Sequence, residues 1–378
     1  MKVVLLLSLA LVACDADTFV SPDAGDSGAP DVLPGEGGPT CAAGQILCGA
    51  TCVDTSSDVA HCGSCKTSCT VLDAGAAACM GGNCVYPMGD SACLALNGND
   101  VFWTNGRGPG SSGVYRVAHG LDGGAPKVIS TGDSVPQGIF ADDTQVYWSD
   151  VGLGNDMGSV HRAKTDGSSA TVVADSANGV SRPGPVIAAS GNVYWGNGDS
   201  SVWFAPTGGG LATLATTTFG PPVFLVATNT AIYWTSNSPA LSGSPTIGTY
   251  KFGAPAGSSI FTGNQGEAFG GLWVATDDDT VCLARTSQQN VSCGLFKVTG
   301  PTIALVKSTA AYGLVETSNQ TTLYWTERIP GGSIARVDVG TNAVTKLAQD
   351  DSPSCVAIDG QYVYWTARGR LTPGVAPR

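Results

Sequence analysis

The chain has only three histidines, His61, His119 and His161, in 378 residues, so an acid–base or metal site built on histidine has few possible members. Charge is sparse as well. Only 13% of residues are charged, and 18 basic residues face 30 acidic ones, for a net charge of −12. That balance argues against DNA, RNA or an anionic lipid surface as the main partner, because those need basic patches. No apolar run after residue 12 is long enough to cross a membrane as a helix. No long stretch after residue 14 shows helical apolar periodicity. There is no Gly-x-Ser-x-Gly elbow and no His-Glu-x-x-His pair. The glycine-rich run Gly106–Gly110 lacks the Lys and the following helix of a phosphate loop. No residue is therefore assigned a catalytic role, and no cofactor is expected.

What is present is glycine, 52 of them, together with many Thr and few Lys or Glu, a composition suited to short strands and tight turns. One phrase recurs seven times. Its copies are Val101-Phe102-Trp103-Thr104, Val146-Tyr147-Trp148-Ser149, Val193-Tyr194-Trp195-Gly196, Ile232-Tyr233-Trp234-Thr235, Val281-Cys282-Leu283-Ala284, Leu323-Tyr324-Trp325-Thr326 and Val363-Tyr364-Trp365-Thr366. Their third residues lie 45, 47, 39, 49, 42 and 40 positions apart. Short strands at such a period indicate a β-propeller. The expected fold is thus all-β, with seven blades over residues 90–378. If the weak fifth copy is an insertion, the number of blades is six. Recurrence at one position per repeat marks the box aromatics as packing between blades, not as a sugar-binding surface. Trp203 and Trp273 fall outside the boxes and are candidates for a binding face.

The N-terminal end reads differently. Lys2 precedes an apolar run from Val3 to Val12, too short to span a bilayer and typical of a signal segment. The run closes on Leu11-Val12-Ala13-Cys14, which resembles a bacterial lipobox. That resemblance implies cleavage before Cys14, lipid on this residue, and a place in the bacterial cell envelope. Asp15 leaves the choice of membrane open. Residues 15–40 are acidic and rich in Gly, Pro and Ala, the composition of a disordered spacer.

The chain has 13 Cys, an odd count. With Cys14 set aside, eight cluster at residues 41–84 (Cys41, Cys48, Cys52, Cys62, Cys65, Cys69, Cys79 and Cys84), and Cys93, Cys282, Cys293 and Cys355 lie in the repeats. Two even groups behind an export signal point to disulfides. The 41–84 segment is too short for a large core, so covalent staples must take its place. Zinc held by Cys62 and Cys65 with Cys48 and Cys52, or a redox pair at Cys62–Cys65, are the rival readings.

Cys93 and Cys355 occupy the same slot of the first and last repeats, so a disulfide between them would clasp the ring. Cys282 is then left to pair with Cys293. After Trp365 only thirteen residues remain, room for a third strand but hardly a fourth, and an incomplete last blade exposes an edge. Asp142-Asp143 and Asp277-Asp278-Asp279 suggest calcium, but both sit in turns that Asp favours for its own reasons.

Two family resemblances follow from these residues. The run Leu47-Cys48-Gly49-Ala50-Thr51-Cys52-Val53-Asp54-Thr55, with Cys62-Gly63-Ser64-Cys65, resembles the stigma-specific cysteine-rich family, which implies a secreted, non-catalytic interaction module. The boxes resemble the Tyr-Trp-Thr-Asp propellers of bacteria and of the LDL-receptor class. They depart from that pattern in the acidic position after the box, which is kept only as Asp150 and Glu327. The function expected is a lipid-anchored envelope protein whose propeller binds a protein or a glycan. The alternatives are a propeller lyase or glycan hydrolase working at the channel mouth, and a structural envelope protein.

Overall fold

The computed structural model describes residues 41–65, 78–80, 83–87, 93–105, 112–119, 126–153, 157–237, 243–274, 280–285, 290–295, 303–307, 311–316, 322–338, 341–367 and 370–373. For 78, 80, 83–87, 273, 280, 290–295, 303–307, 315–316 and 370–373 only the backbone is described. Cys14, the 1–14 leader, the 15–40 spacer, Cys69, Gly106–Gly110 and Asp277–Asp279 lie outside these residues. So do the side chains of Cys84, Trp273 and Cys293.

The chain folds as an all-β propeller preceded by a disulfide-rich segment. Six four-stranded antiparallel sheets and one five-stranded sheet follow one another. The first holds Leu94–Leu96, Asp100–Asn105, Gly113–Ala118 and Lys127–Thr131. Each later sheet begins with an inner strand: Pro136–Ala141, Pro183–Ala189, Pro222–Ala227, Phe269–Val274, Ala311–Glu316 and Pro353–Ile358. Each inner strand contacts the next, and Pro353–Ile358 contacts Leu94–Leu96, which closes the ring.

The box explains the packing. Successive strand residues point to opposite faces. Val146 and Trp148 join Phe102 and Val114 of the preceding sheet in one buried cluster. Tyr147 faces the other way, against Val186, Val193 and Trp195 of the following sheet. Both faces of the box strand are therefore buried between neighbouring sheets, and its Val, Tyr and Trp are almost wholly inaccessible.

The fourth box position lies on the same face as the Tyr, and its hydroxyl bonds the next sheet. Thr104 Oγ1 donates to the Gln137 carbonyl at 2.8 Å, Ser149 Oγ to Gly184 at 2.5 Å, Thr235 Oγ1 to Gly270 at 3.1 Å, and Thr326 Oγ1 to Ser354 at 2.5 Å. The same oxygen accepts an amide of its own inner strand, from Cys93, Gly138 and Gly313 at 3.2, 2.9 and 2.9 Å. One hydroxyl thus latches two sheets at a buried point. Gly196 breaks the series because a Cβ there would lie 2.5 Å from the Cβ of Pro222.

The last sheet departs from a simple seventh repeat. Its order is Pro353–Ile358, Val363–Ala367, Arg370–Pro373, Asn83–Pro87 and Ala78–Met80. The strand missing from the C-terminal end comes from the other end of the chain, with Arg370 opposite Pro87 and Leu371 opposite Tyr86. The exposed edge is thereby paired. The hairpin 78–87 straddles the expected boundary between 41–84 and the propeller, so the cysteine-rich segment supplies the outer part of a blade.

Among the described residues, disulfides join Cys41–Cys52, Cys48–Cys65, Cys62–Cys79 and Cys93–Cys355. They engage all four Cys of the zinc reading and both of the redox reading. Cys62 and Cys79 are buried in one cluster with Leu94, Trp103, Cys355 and Tyr364, so this staple packs against the junction of the first and last sheets. Cys282 is disulfide-bonded, and Cys293 stands opposite it in the strand register.

Candidate functional site

The inner strands surround a central channel with a cavity of about 690 Å³. Its walls follow from two local features. Four inner strands begin with Pro: Pro136, Pro183, Pro222 and Pro353. Proline is tolerated at a strand's first residue, where no ladder amide is needed. The register then slips within each of the inner strands that begin at 136, 183, 222, 269, 311 and 353, as at a β-bulge. Close sheet approach leaves room only for glycine at Gly138, Gly270, Gly271 and Gly313, where an added Cβ would strike backbone of the next inner strand.

Side chains of four kinds line this channel, the neutral polar ones being Gln137, Ser352, Ser354 and Thr366. Pro185, Pro222, Ile139, Val186 and Leu225 are apolar. Phe224 and Tyr312 meet edge to face, ring centres 5.3 Å apart. Arg328 is the single charged residue in the lining among the described residues, its guanidinium carbon 4.4 Å from the centre of the Tyr312 ring. No carboxylate and no histidine line the cavity among the described residues.

Pro136 pairs with Asp150, so loops before an inner strand and loops after a box strand emerge at one end of the ring. Arg328 follows the box strand Thr322–Glu327 and belongs to that end. Leu153, Met157 and Phe219 do too, and they are 60%, 37% and 73% exposed. The rim of this end also carries exposed Arg182 and half-buried Asp351, and Arg328 lines its bore.

A second polar cluster sits in the second sheet, among Asp133, Asp150 and His161, whose ligand-type atoms lie within 4.8 Å of one another. Its carboxylates are already occupied. Asp150 accepts backbone amides of Ser134, Val135 and Gly152 at 2.6, 2.7 and 3.1 Å. Asp133 accepts Trp148 Nε1 at 3.1 Å and Ser130 Oγ at 2.8 Å. The last sheet repeats the motif, with Trp365 Nε1 donating to Asp350 at 3.0 Å. The cluster thus clasps a loop to a box Trp. His161 stacks on Trp148 at 5.2 Å and meets Ser159 Oγ at 2.6 Å. Burial holds its pKa below the usual histidine value, against the pull of Asp133 and Asp150.

His119 lies where the first and last sheets meet, with Nδ1 3.2 Å from Asp359 Oδ2, and Tyr364 donates its hydroxyl to the same oxygen at 2.8 Å. Asp142 caps its own turn, accepting the Thr144 and Gln145 amides at 2.7 and 2.8 Å, a structural use of that carboxylate. Trp203 is half-buried and donates Nε1 to Ser201 Oγ at 3.0 Å. No spacing in the sequence marked Arg328, Tyr312 or Phe224. The inter-sheet latch was visible as the recurrent Ser or Thr of the box.

Comparison with protein-family models and with curated proteins finds no match. Solved structures do resemble the chain. Virginiamycin B lyase from Staphylococcus aureus aligns with a TM-score of 0.61 at 12% identity, covering 78% of this chain and 98% of that one. Puromycin hydrolase gives 0.56 at 12% identity, over 77% of this chain and 50% of that one. A nidogen/laminin complex gives 0.50 at 16% identity, over 68% and 92%. At these identities the likeness establishes the propeller fold alone. The three differ among themselves, one in a binding complex, one a lyase and one a hydrolase, so the fold leaves the function open.

Proposed function

We propose that this protein is a lipid-anchored component of the bacterial cell envelope, attached through Cys14, whose seven-bladed propeller serves as a non-catalytic platform for binding a protein or glycan. The single observation that carries the binding part is the lining of the channel. It presents apolar residues, an edge-to-face Phe224–Tyr312 pair and Arg328, with neither a carboxylate nor a histidine among the described residues. A lyase or glycan hydrolase working there would need positioned acid and base groups, typically paired carboxylates or His. Exposed Leu153, Met157 and Phe219 at the rim add surface of the kind that marks interaction sites. The membrane part rests on the lipobox-like Leu11–Cys14 and on the spacer composition of residues 15–40. The disulfide-rich segment fits an oxidising compartment.

The test is affinity capture from envelope extracts on immobilised protein, wild type beside Phe219→Asp/Leu153→Asp. Both positions are exposed, so the variant keeps its fold. A partner retained by the wild type and lost by the variant supports the platform. Equal capture by both, or turnover of a glycan by the wild type, overturns it.

A further inference from the structure

We infer that the channel takes a small organic carboxylate carrying an aromatic or apolar body, with Arg328 as its anion anchor. This rests on the binding reading above and narrows it to one ligand chemistry.

The charge pattern comes first. The chain carries a net −12, yet the channel lining holds one cation and, among the described residues, no acid. The guanidinium attracts an anion at short range, where salt screens the net negative charge of the rest of the chain. Arg328 has no ion-pair partner among the described residues, and its only recorded interaction is with the Tyr312 ring. Stacking on that ring restrains the guanidinium and leaves its N–H groups available. A guanidinium fork fits a carboxylate with two parallel bonds.

Two further groups in the lining have hydrogen-bonding capacity to spare. The Gln137 side-chain amide and the Tyr312 hydroxyl have no hydrogen-bond partner among the described residues. Polar groups set among apolar side chains suit a small-molecule site, and about 690 Å³ falls within the usual range. Phe224, Val186 and Leu225 offer apolar surface to the body of the ligand.

The same facts set the charge. One cation and no metal-type ligand set in the lining suit a monoanion better than a phosphate dianion. An aromatic carboxylate arises from two sources, a free aryl acid or the C-terminus of a peptide ending in an aromatic residue.

The test uses the full chain and four probes: 3-phenylpropionate, 3-phenylpropanamide, and a tetrapeptide ending in Phe with either a free or an amidated C-terminus. Affinity is read by calorimetry and ligand-observed NMR in low salt, for wild type and Arg328→Gln. At least one carboxylate is expected to saturate the wild type, with its amide and the Arg328→Gln protein each at least tenfold weaker. Binding of the free acid or of the peptide tells the source, and either result supports the proposal. Arg328 is exposed, so an unchanged melting temperature is expected for the variant. Phe224→Ala is the second variant, expected to weaken the same carboxylate. Carboxylate and amide binding equally, Arg328→Gln binding as wild type, or no carboxylate saturating the site would each overturn the inference. Capture of a partner through Phe219 and Leu153 with no carboxylate dependence would sink this inference and leave the platform reading standing.

Discussion

Removing Cys93–Cys355 by Cys93→Ser with Cys355→Ser tests how the ring is held. The bond joins residues 262 apart. Cross-linking so long a loop restricts the unfolded chain, and the chain-entropy model gives about 5.6 kcal/mol near 25 °C. Cys41–Cys52 spans only 11 residues, for which the same relation gives about 3 kcal/mol. An unfolding entropy of about 2.1 cal/mol/K per residue, over roughly 280 residues of propeller, makes about 0.6 kcal/mol/K. The double variant should then melt on the order of 9 °C lower. Buried Trp103, Trp148, Trp195 and Trp325 report the loss of inter-sheet packing, so fluorescence and calorimetry follow the same event. Cys41→Ser with Cys52→Ser is the control and should lower the propeller transition less. A drop under about 3 °C for the long-range pair, or an equal drop for the short one, refutes the loop-entropy reasoning.

Two other outcomes follow from the packing. Thr326→Val removes a donor to Ser354 and an acceptor for Gly313 at a fully buried point, and should cost about 2–3 kcal/mol in denaturant unfolding; a loss under about 0.5 kcal/mol would mean that the latch contributes little. His161 is held neutral by burial, so the unfolded chain binds the extra proton first as pH falls below about 6.5, and stability declines there. His161→Gln should flatten the change in melting temperature between pH 7.5 and 5.0. Asp54, Asp58 and Asp166, lowered by their hydrogen bonds, act only nearer the ordinary carboxylate value of 3.8, below that window, so an unchanged slope in the variant would refute the assignment to His161.

The repeat was legible because inter-sheet packing makes the same demand at each box. A strand buried on both faces needs apolar residues at three positions and a small hydroxyl at the fourth, and that demand writes itself into sequence. Channel chemistry carries no such period. Tyr312 and Arg328 belong to one sheet and Phe224 to another, and only the closed ring brings Phe224 against Tyr312. The Asp133–Asp150–His161 cluster was hidden for a similar reason. Its members lie on a loop and two strands, and the box predicts only Asp150. The fourth strand of the last blade was illegible in the last repeat because it is encoded before the first.

That displaced strand changes what closing the ring means. Between the earlier sheets the chain itself crosses each junction, from the outer strand of one to the inner strand of the next. With Asn83–Pro87 in the last sheet and Leu94–Leu96 in the first, the final junction is crossed by the chain as well. The discontinuity moves inside the last sheet, to the pairing of Arg370–Pro373 with Asn83–Pro87. That pairing shows only two register pairs, Arg370 with Pro87 and Leu371 with Tyr86, and Pro87 has no amide to donate. Among the described residues this seam has fewer register pairs than the three of Leu94–Leu96 with its neighbour. Cys93–Cys355 bypasses it by joining the inner strands of the first and last sheets directly, and buried Cys62–Cys79 packs on the same junction. Strand exchange and disulfide are therefore complementary. The strand satisfies the open edge, and the covalent bond keeps the seam shut when that ladder frays.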